Sequence, residues 1–248
     1  MIAISFALPT ESNALLRHLE SKRFLNANGI AILTGELAGR QVAIFHTGVG
    51  RESCQRNVQA AFGAIRPQLL ISSGFAGSLS DRLGIGDLVV AQNFSDWGLA
   101  TRILEVGSGL TAPEPSQPMR FHPVILFTSN KVVESAEERR QIAQQHRADA
   151  IDMETEVIAT ACAVHRVPMI SLRAISDAPT APFPAPAEVL FDIPRQRIPL
   201  RKLLWYLLRH PSAVKQFIRF AKQVGAARAR LTTALIDAIP RLDTLNRT

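Results

Sequence analysis

Two stretches constrain this chain more than any others, AIDMETEVIATA at 150–161 and PMISLRAISD at 168–177. In the first, Val157, Ala161 and Val164, with Ile158 and Cys162 beside them, recur at the i, i+4, i+7 interval of one apolar helix face. A strand end therefore runs here into an amphipathic helix, with Glu154 in its first turn, where an acid complements the helix dipole. The second stretch is apolar from Met169 to Ile175 except at Ser171 and Arg173, as a buried strand is, and Ala178-Pro179 stops it with the Asp177 carboxylate at its tip. Glu154 and Asp177 would then sit at neighbouring carboxyl ends of strands, where α/β sheets build their sites.

The rest of the chain supplies the other elements of such a sheet. Residues 2–7 read as a first strand, and Pro9-Thr10 opens a helix striped by Leu15, Leu16 and Leu19. Glu11 falls in its first turn, a common place for a capping or dipole residue. Strands at about 30–35 and 41–46 flank the hairpin signal Ala38-Gly39. HTGVGRES then joins strand to helix (Val58, Ala61, Phe62 and Ile65 on one face), and backbone N–H groups at Gly48 and Val49 would face an anion or a nucleophilic water. A lone Gly-x-Gly also serves as a plain tight turn. Arg51 beside it either reaches an anion or is solvated.

Gln68 to Ile71 form the next strand, and SSGFAGS after it reads as a loop of residues small enough for a ligand to lie on backbone atoms. Residues 87–95 continue as strand, 111–123 is a Pro-rich loop, and strand 124–128 leads to SNKVV, in which Lys131 reads as a surface lysine. Between Asp177 and Phe191, Pro179, Pro182, Pro184 and Pro186 suit a flap beside the site.

At 248 residues with 47% hydrophobic and 20% charged side chains, one well-buried domain is the expectation. The opening MIAISFALP has no basic region, so it reads as neither a signal peptide nor a spanning helix, and the enzyme body is expected in the cytoplasm. Cys54 and Cys162 fall on helix faces and imply no disulfide or metal framework. The net charge of +7 is unevenly placed. Residues 193–248 hold 12 Lys or Arg against Asp237 and Asp243, leaving 16 basic and 19 acidic residues before them. A basic tail on a slightly acidic body argues for a local surface role, and with one Tyr, two Trp and no recognisable module, nucleic acid is not the expected partner.

The acidic-Met-Glu motif at 152–154 and R-A-I-S-D at 173–177, with AILTGELAGRQVAIFHTGVG at 31–50 and LLISSGFAGSLSDRLGIGDLVVA at 69–91, resemble the purine nucleoside phosphorylase and methylthioadenosine/S-adenosylhomocysteine nucleosidase superfamily. The resemblance covers most of residues 1–92 and 124–180. It implies a three-layer α/β/α fold with a twisted mixed central sheet over 1–192; residues 193–248, read from their own pattern, form a basic amphipathic helical extension packed on it or appended to it. The implied chemistry is cleavage of a purine N-glycosidic bond without a cofactor or metal. Asp177, flanked by Ser176, would donate to adenine N7, which requires it to be protonated or to share a proton. Glu154 would bind the ribose 2′ and 3′ hydroxyls, with Met153 packed on the sugar, and Glu11 would take the proton from water. Val132, with Val133 beside it, would meet the purine. Phe75, Ala76 and Gly77 would line the pocket, and Phe75, larger than the residue usual in nucleosidases, either stacks under the nucleoside or fills core.

Phosphorylases of this superfamily carry a Gly and an Arg in the first loop, and the trimeric and hexameric ones an Arg where Ser72 stands. FALPTESN and Ser72 supply neither, which favours water over phosphate; phosphorolysis is the alternative. The nucleosidases are usually dimers, so a homodimer is expected. IPLRKLLWYLLRHPSAVKQFIRFAKQVG alternates apolar and basic residues at helical spacing, broken at Pro211, and suits peripheral contact of residues 198–224 with the inner membrane surface. An ordinary domain-completing helix is the other reading. The tail resembles that of the hopanoid-associated phosphorylase branch, for which the implied reaction releases adenine from lipid-linked adenosylhopane and leaves ribosylhopane. Methylthioadenosine or S-adenosylhomocysteine is the alternative substrate, and a nucleoside-binding membrane module without turnover the alternative from another class.

Overall fold

Leu69, Leu70 and Ile71 are successive residues of one strand, yet Leu69 and Ile71 enter one apolar core and Leu70 another. Met169 and Ile170 divide in the same way. Strands whose side chains alternate between two packed faces lie in the middle layer of three. The computed structural model describes residues 1–107, 121–179, 184–186, 189, 200–211 and 213–246. In chain order it contains β1 (Ile2–Phe6), α1 (Pro9–Leu16), β2 (Glu20–Ala27), β3 (Ile30–Leu37), β4 (Arg40–His46), α2 (Arg51–Ala64), β5 (Leu69–Ser78), β6 (Leu88–Ala91), α3 (Trp97–Gly107), β7 (Phe121–Val124), β8 (Leu126–Thr128), α4 (Ala136–His146), β9 (Ala150–Asp152), α5 (Thr155–His165), β10 (Met169–Asp177), α6 (Leu200–Arg209) and α7 (Ala213–Ala238), ending in a 3-10 stretch (Ile239–Asn246).

The sheet runs β2–β3–β4–β1–β5–β10–β6–β7. Its centre, β4, β1, β5 and β10, is parallel, while β2 to β4 and the β10–β6 step are antiparallel. At its carboxyl end β5 carries a neighbour on either side, because Gly77 pairs with both Asp177 of β10 and Ile151 of β9. One face is covered by α1, α3 and the second half of α7, which insert Leu15, Ile103, Leu231 and Leu235. The other is covered by α2 and α5 through Val58, Phe62, Ile158 and Cys162. The three-layer α/β/α arrangement around a mixed sheet is the one the motifs imply.

Several elements depart from the sequence reading, each for a local reason. SSGFAGS continues β5 to Ser78, because β10 offers a paired strand along its length and the small side chains make room for buried groups described below. β2 escapes a search for apolar alternation because it is an almost wholly exposed edge strand, joined to β3 by Asn28-Gly29 at φ 51° and 84°, the geometry of a two-residue hairpin turn. The strand anticipated over 87–95 is only Leu88–Ala91, and Pro123 lies in β7, where an edge strand tolerates a missing donor. Val164 is 75% exposed: the buried stripe of α5 is Val157, Ile158 and Cys162. The Pro-rich pieces, 108–120 and nearly all of 180–199, lie outside the described residues, and with them most of the expected flap. Pro211 does separate two helices. The second, α7, changes character along its length, from exposed Val214 and Ile218 to buried Ala227, Leu231, Ala234 and Leu235.

Candidate active site

Glu11 occupies the third position of α1, and its side chain turns back so that Oε2 accepts the Leu8 N–H at 2.9 Å. That is the capping role. The other oxygen, Oε1, accepts the Phe75 N–H of β5 at 3.2 Å, so the same carboxyl also belongs to the middle of the sheet. Burial raises its proton affinity above that of an ordinary Glu, against the lowering effect of the Leu8 N–H, the Arg173 charge and the Phe75 N–H. Gly74 makes the approach possible. A Cβ there would meet Arg173 NH1 at 2.8 Å and Glu11 Oε1 at 3.0 Å, and its φ of 139° is one that side-chain-bearing residues rarely adopt.

Arg173, the residue interrupting the apolar run of β10, is 2% exposed. Its NH2 reaches Ser72 Oγ at 2.8 Å, Thr155 Oγ1 at 2.8 Å and Asp152 Oδ2 at 3.0 Å, and NH1 donates to the Ser73 carbonyl at 2.9 Å. Nε has no partner. Asp152 is held in turn by the Thr155 N–H at 3.2 Å and hydroxyl and by Thr128 Oγ1 at 2.9 Å. Glu154 lies next to this knot. It is the residue just before α5 rather than one within its first turn, and it accepts the Gly50 N–H at 2.9 Å across the top of the sheet. Three carboxyl groups (Glu11, Asp152, Glu154) thus surround one guanidinium. The surplus of negative charge shows at Glu154, whose pKa is pushed up to about 8, by burial first and the Asp152 charge second.

Asp177 belongs to a separate cluster at the end of β5. Its Oδ1 accepts the Ser176 hydroxyl at 2.7 Å, and its Oδ2 is in an ion pair with Arg139 of α4. Arg139 is 2% exposed and bonded at each of its three nitrogens: besides the Asp177 pair, Nε donates to the Val133 carbonyl at 3.0 Å and NH1 to the Ser78 carbonyl at 3.2 Å. A Cβ on Gly77 would lie 2.9 Å from Asp177 Oδ2 and 3.3 Å from Arg139 NH1, so this glycine opens the space for the pair. From Gly74, beside Glu11, to Gly77, beside Asp177, the backbone covers roughly 10 Å of strand. A carboxyl thus stands near either end of one short stretch that also contains Phe75 and Ala76.

The remaining candidates are placed unevenly. Met153 is half-buried between Asp152 and Glu154, and Val132 is half-buried while Val133 is buried under the α4 loop. The Phe75 side chain packs half-buried against the core beneath α1 and α7. Gly48 does not present a free donor, since its N–H is bonded to the Ala7 carbonyl at 3.0 Å; the donor of this turn that meets the site is Gly50, with the half-buried Val49 between them. Arg51 is tied to Asn130 Oδ1 at 3.0 Å and Glu156 Oε2 at 2.6 Å, and Lys131 to Glu138 at 2.7 Å. Both cysteines are free and buried, and burial pushes the Cys162 thiol up to about 12. Among the described residues no cluster of His, Cys, Asp and Glu could hold a metal ion.

Sequence reasoning missed both arginines and Asp152. Arg173 carried a signal, a lone cation within a buried strand, whose burial demands acidic partners. Arg139 carried none, because among Glu137, Glu138 and Arg140 it reads as one more charge on a solvated helix face.

The mixed α/β sheet gathers acids about its central strands, and a sequence model of the Phosphorylase superfamily matches residues 1–209; the chain belongs to that superfamily. Within it, the 5′-methylthioadenosine/S-adenosylhomocysteine nucleosidase of Staphylococcus epidermidis is 27% identical over 199 residues, 71% of this chain and 86% of the relative. The fold is similar to that of a solved Campylobacter jejuni 5′-methylthioadenosine/S-adenosylhomocysteine nucleosidase, with TM-score 0.72, 19% identity and coverage of 96% and 97% of the two chains. It is also similar to the S. pneumoniae nucleosidase solved with the transition-state inhibitor MT-ImmA, with TM-score 0.70, 20% identity and coverage of 98% and 99%. A futalosine hydrolase mutant of Helicobacter pylori matches over 71% of this chain and 87% of its own, with TM-score 0.61 and 21% identity.

Proposed function

We propose that the protein is an adenine nucleosidase acting on a 5′-substituted adenosine. The observation that carries this is the pair of buried carboxyls flanking residues 74–77 of β5, Glu11 on the Phe75 N–H and Asp177 against Gly77. In hydrolysis the C1′–N9 electrons leave with the base, which is a better leaving group once N7 takes a proton. Water bonds to C1′ and gives its proton to a general base. Glu11, with its proton affinity raised by burial, suits the base role. Asp177, at the other end, suits the base-facing acid. Glu154, holding its proton up to about pH 8, both donates to and accepts from the ribose hydroxyls.

The electrostatics favour water as the nucleophile. Arg173, the guanidinium beside Glu11, is committed to Asp152, Ser72 and Thr155, and a phosphate dianion would enter among three acids. The nucleosidases to which the chain is similar point the same way.

For the 5′ group we propose a lipid-linked adenosine, adenosylhopane, with 1–192 as the catalytic body and the outer part of the tail as a membrane contact. Leu204, Trp205, Leu208, Val214 and Ile218 are exposed on α6 and the start of α7 among Arg201, Lys202, Arg209, Lys215, Arg219 and Lys222. Arg209 lies over the Trp205 ring, 3.3 Å from its centroid. Each basic residue near an anionic bilayer contributes about 1 kcal/mol, and the apolar side chains add burial. No helix among the described residues is long and apolar enough to cross a membrane.

The test is adenine release in phosphate-free buffer from a panel of 5′-substituted adenosines, with and without anionic liposomes. Glu11→Gln should lower turnover by about 100-fold or more. A ribose 1-phosphate product, with rate rising in proportion to phosphate, would overturn hydrolysis. Trp205→Glu with Leu208→Glu should reduce sedimentation with anionic liposomes. Rapid methylthioadenosine turnover, indifferent to liposomes and to those substitutions, would reject the lipid substrate and leave the soluble one.

A further inference from the structure

Arg139 is an expensive residue in its place. It projects from α4, whose Glu137 and Arg140 are exposed, yet its guanidinium is buried and bonded at all three nitrogens. Desolvating a guanidinium and a carboxylate together is weak as a device for stability, since well-packed apolar side chains of the same volume commonly do as well or better. A role in the chemistry accounts for the pair.

We infer that Arg139 is a positioning residue for leaving-group protonation, acting through Asp177; the inference rests on the nucleosidase reading above. Asp177 gives its proton to N7 of the departing base, the C1′–N9 electron pair moves onto that base, and a carboxylate is left at Asp177. The Arg139 guanidinium lies in contact with Oδ2 of that carboxyl. A fixed cation already in contact stabilises the charge as it develops, without reorganisation during the reaction. Between turnovers Asp177 takes a proton from solvent and Glu11 returns to solvent the one it took from water, so the balance closes. The guanidinium is itself fixed by two carbonyls, Ser78 at the end of β5 and Val133 in the loop before α4. Val133 adjoins Val132, the candidate purine contact, so one side chain ties the acid to the loop facing the base.

The experiment is a double-mutant cycle with the full chain on adenine release from whichever 5′-substituted adenosine of the panel the wild-type protein turns over fastest. Arg139→Met should lower kcat by about 100-fold with KM changed by less than about 3-fold, and Arg139→Lys should recover part of the loss. Asp177→Asn should lose a similar factor, and the double variant should match Asp177→Asn within about 3-fold, because Arg139 has nothing left to act on. The double variant leaves no unpaired buried charge, so it serves even if Arg139→Met alone folds poorly. A double variant far below Asp177→Asn, or an Arg139→Met enzyme within about 3-fold of wild type, would overturn the inference. Wild-type protein that releases no adenine from any adenosine of the panel would instead overturn the nucleosidase reading.

Discussion

Arg173 and Arg139 are equally buried and each meets a carboxylate, but their surroundings differ in the balance of charge. Around Arg173 are three acids, and among the described residues its Nε has no partner. Around Arg139 there is one ion-paired acid, and two carbonyls accept from its other two nitrogens. Burial raises the proton affinity of Glu11 and, with the Asp152 charge as the second cause, that of Glu154. At Asp177 a single guanidinium lies in contact with the carboxyl, positioned to offset negative charge that develops there. The same two residue types therefore stand in differently charged surroundings at the two ends of one strand segment.

The most severe way to break this comparison is Arg173→Met. It would strand Asp152 and leave three acids without their cation, and should cost about 3–5 kcal/mol of stability, read by denaturant unfolding. A loss under about 1 kcal/mol would show that Asp152 finds other support within its hydroxyl and N–H bonds.

A milder test is the pH dependence of stability. A carboxyl whose proton affinity is higher in the folded than in the unfolded state contributes a native-state proton that is lost as pH rises. For Glu154 stability should therefore decline from about 4.5, the ordinary value, through about 8, and Glu11 contributes in the same direction. Glu154→Gln should flatten the fall in Tm across that window without abolishing it. Identical Tm–pH slopes for the two proteins would mean that Glu154 does not titrate there.

The smallest effect sharpens the comparison from outside. Arg51 and Glu156 form a close pair at 2.6 Å, but both are about half exposed, 47% and 50%. Solvent screens such a pair, and Arg51→Ala should cost no more than about 1 kcal/mol. A loss as large as that from Arg173→Met would mean that distance rather than burial sets the worth of these pairs.

How much was legible in the sequence follows the range over which each signal acts. The apolar stripes of α1 and α2 are local periodicities, and Leu15, Val58, Ala61 and Phe62 are buried as the spacing implies. Val164 satisfied the same period and is exposed, because periodicity gives a face but not the width of the neighbour packed against it. Glu11, Glu154 and Asp177 stood out because each follows or ends a strand. SSGFAGS looked like a loop because small residues serve turns and close packing alike, and only the presence of β10 beside it separates the two. The basic tail read as one amphipathic unit, whereas α7 is divided between surface and core. Removing the whole tail would therefore take Leu231 and Leu235 out of the main core, which is why the membrane test uses surface substitutions.

By itself the sequence determined the succession of strands and helices and the acids at the strand ends, since backbone preferences and side-chain periods act over a few residues. The tertiary structure decided which group each acid meets. Arg139 and Asp177 are 38 positions apart, Gly50 and Glu154 104, and Glu11 and Phe75 64. Charge and hydrogen bonding act through space, and a proton's affinity for a carboxyl depends on burial and on neighbours that no stretch of the chain contains until the sheet has brought them together.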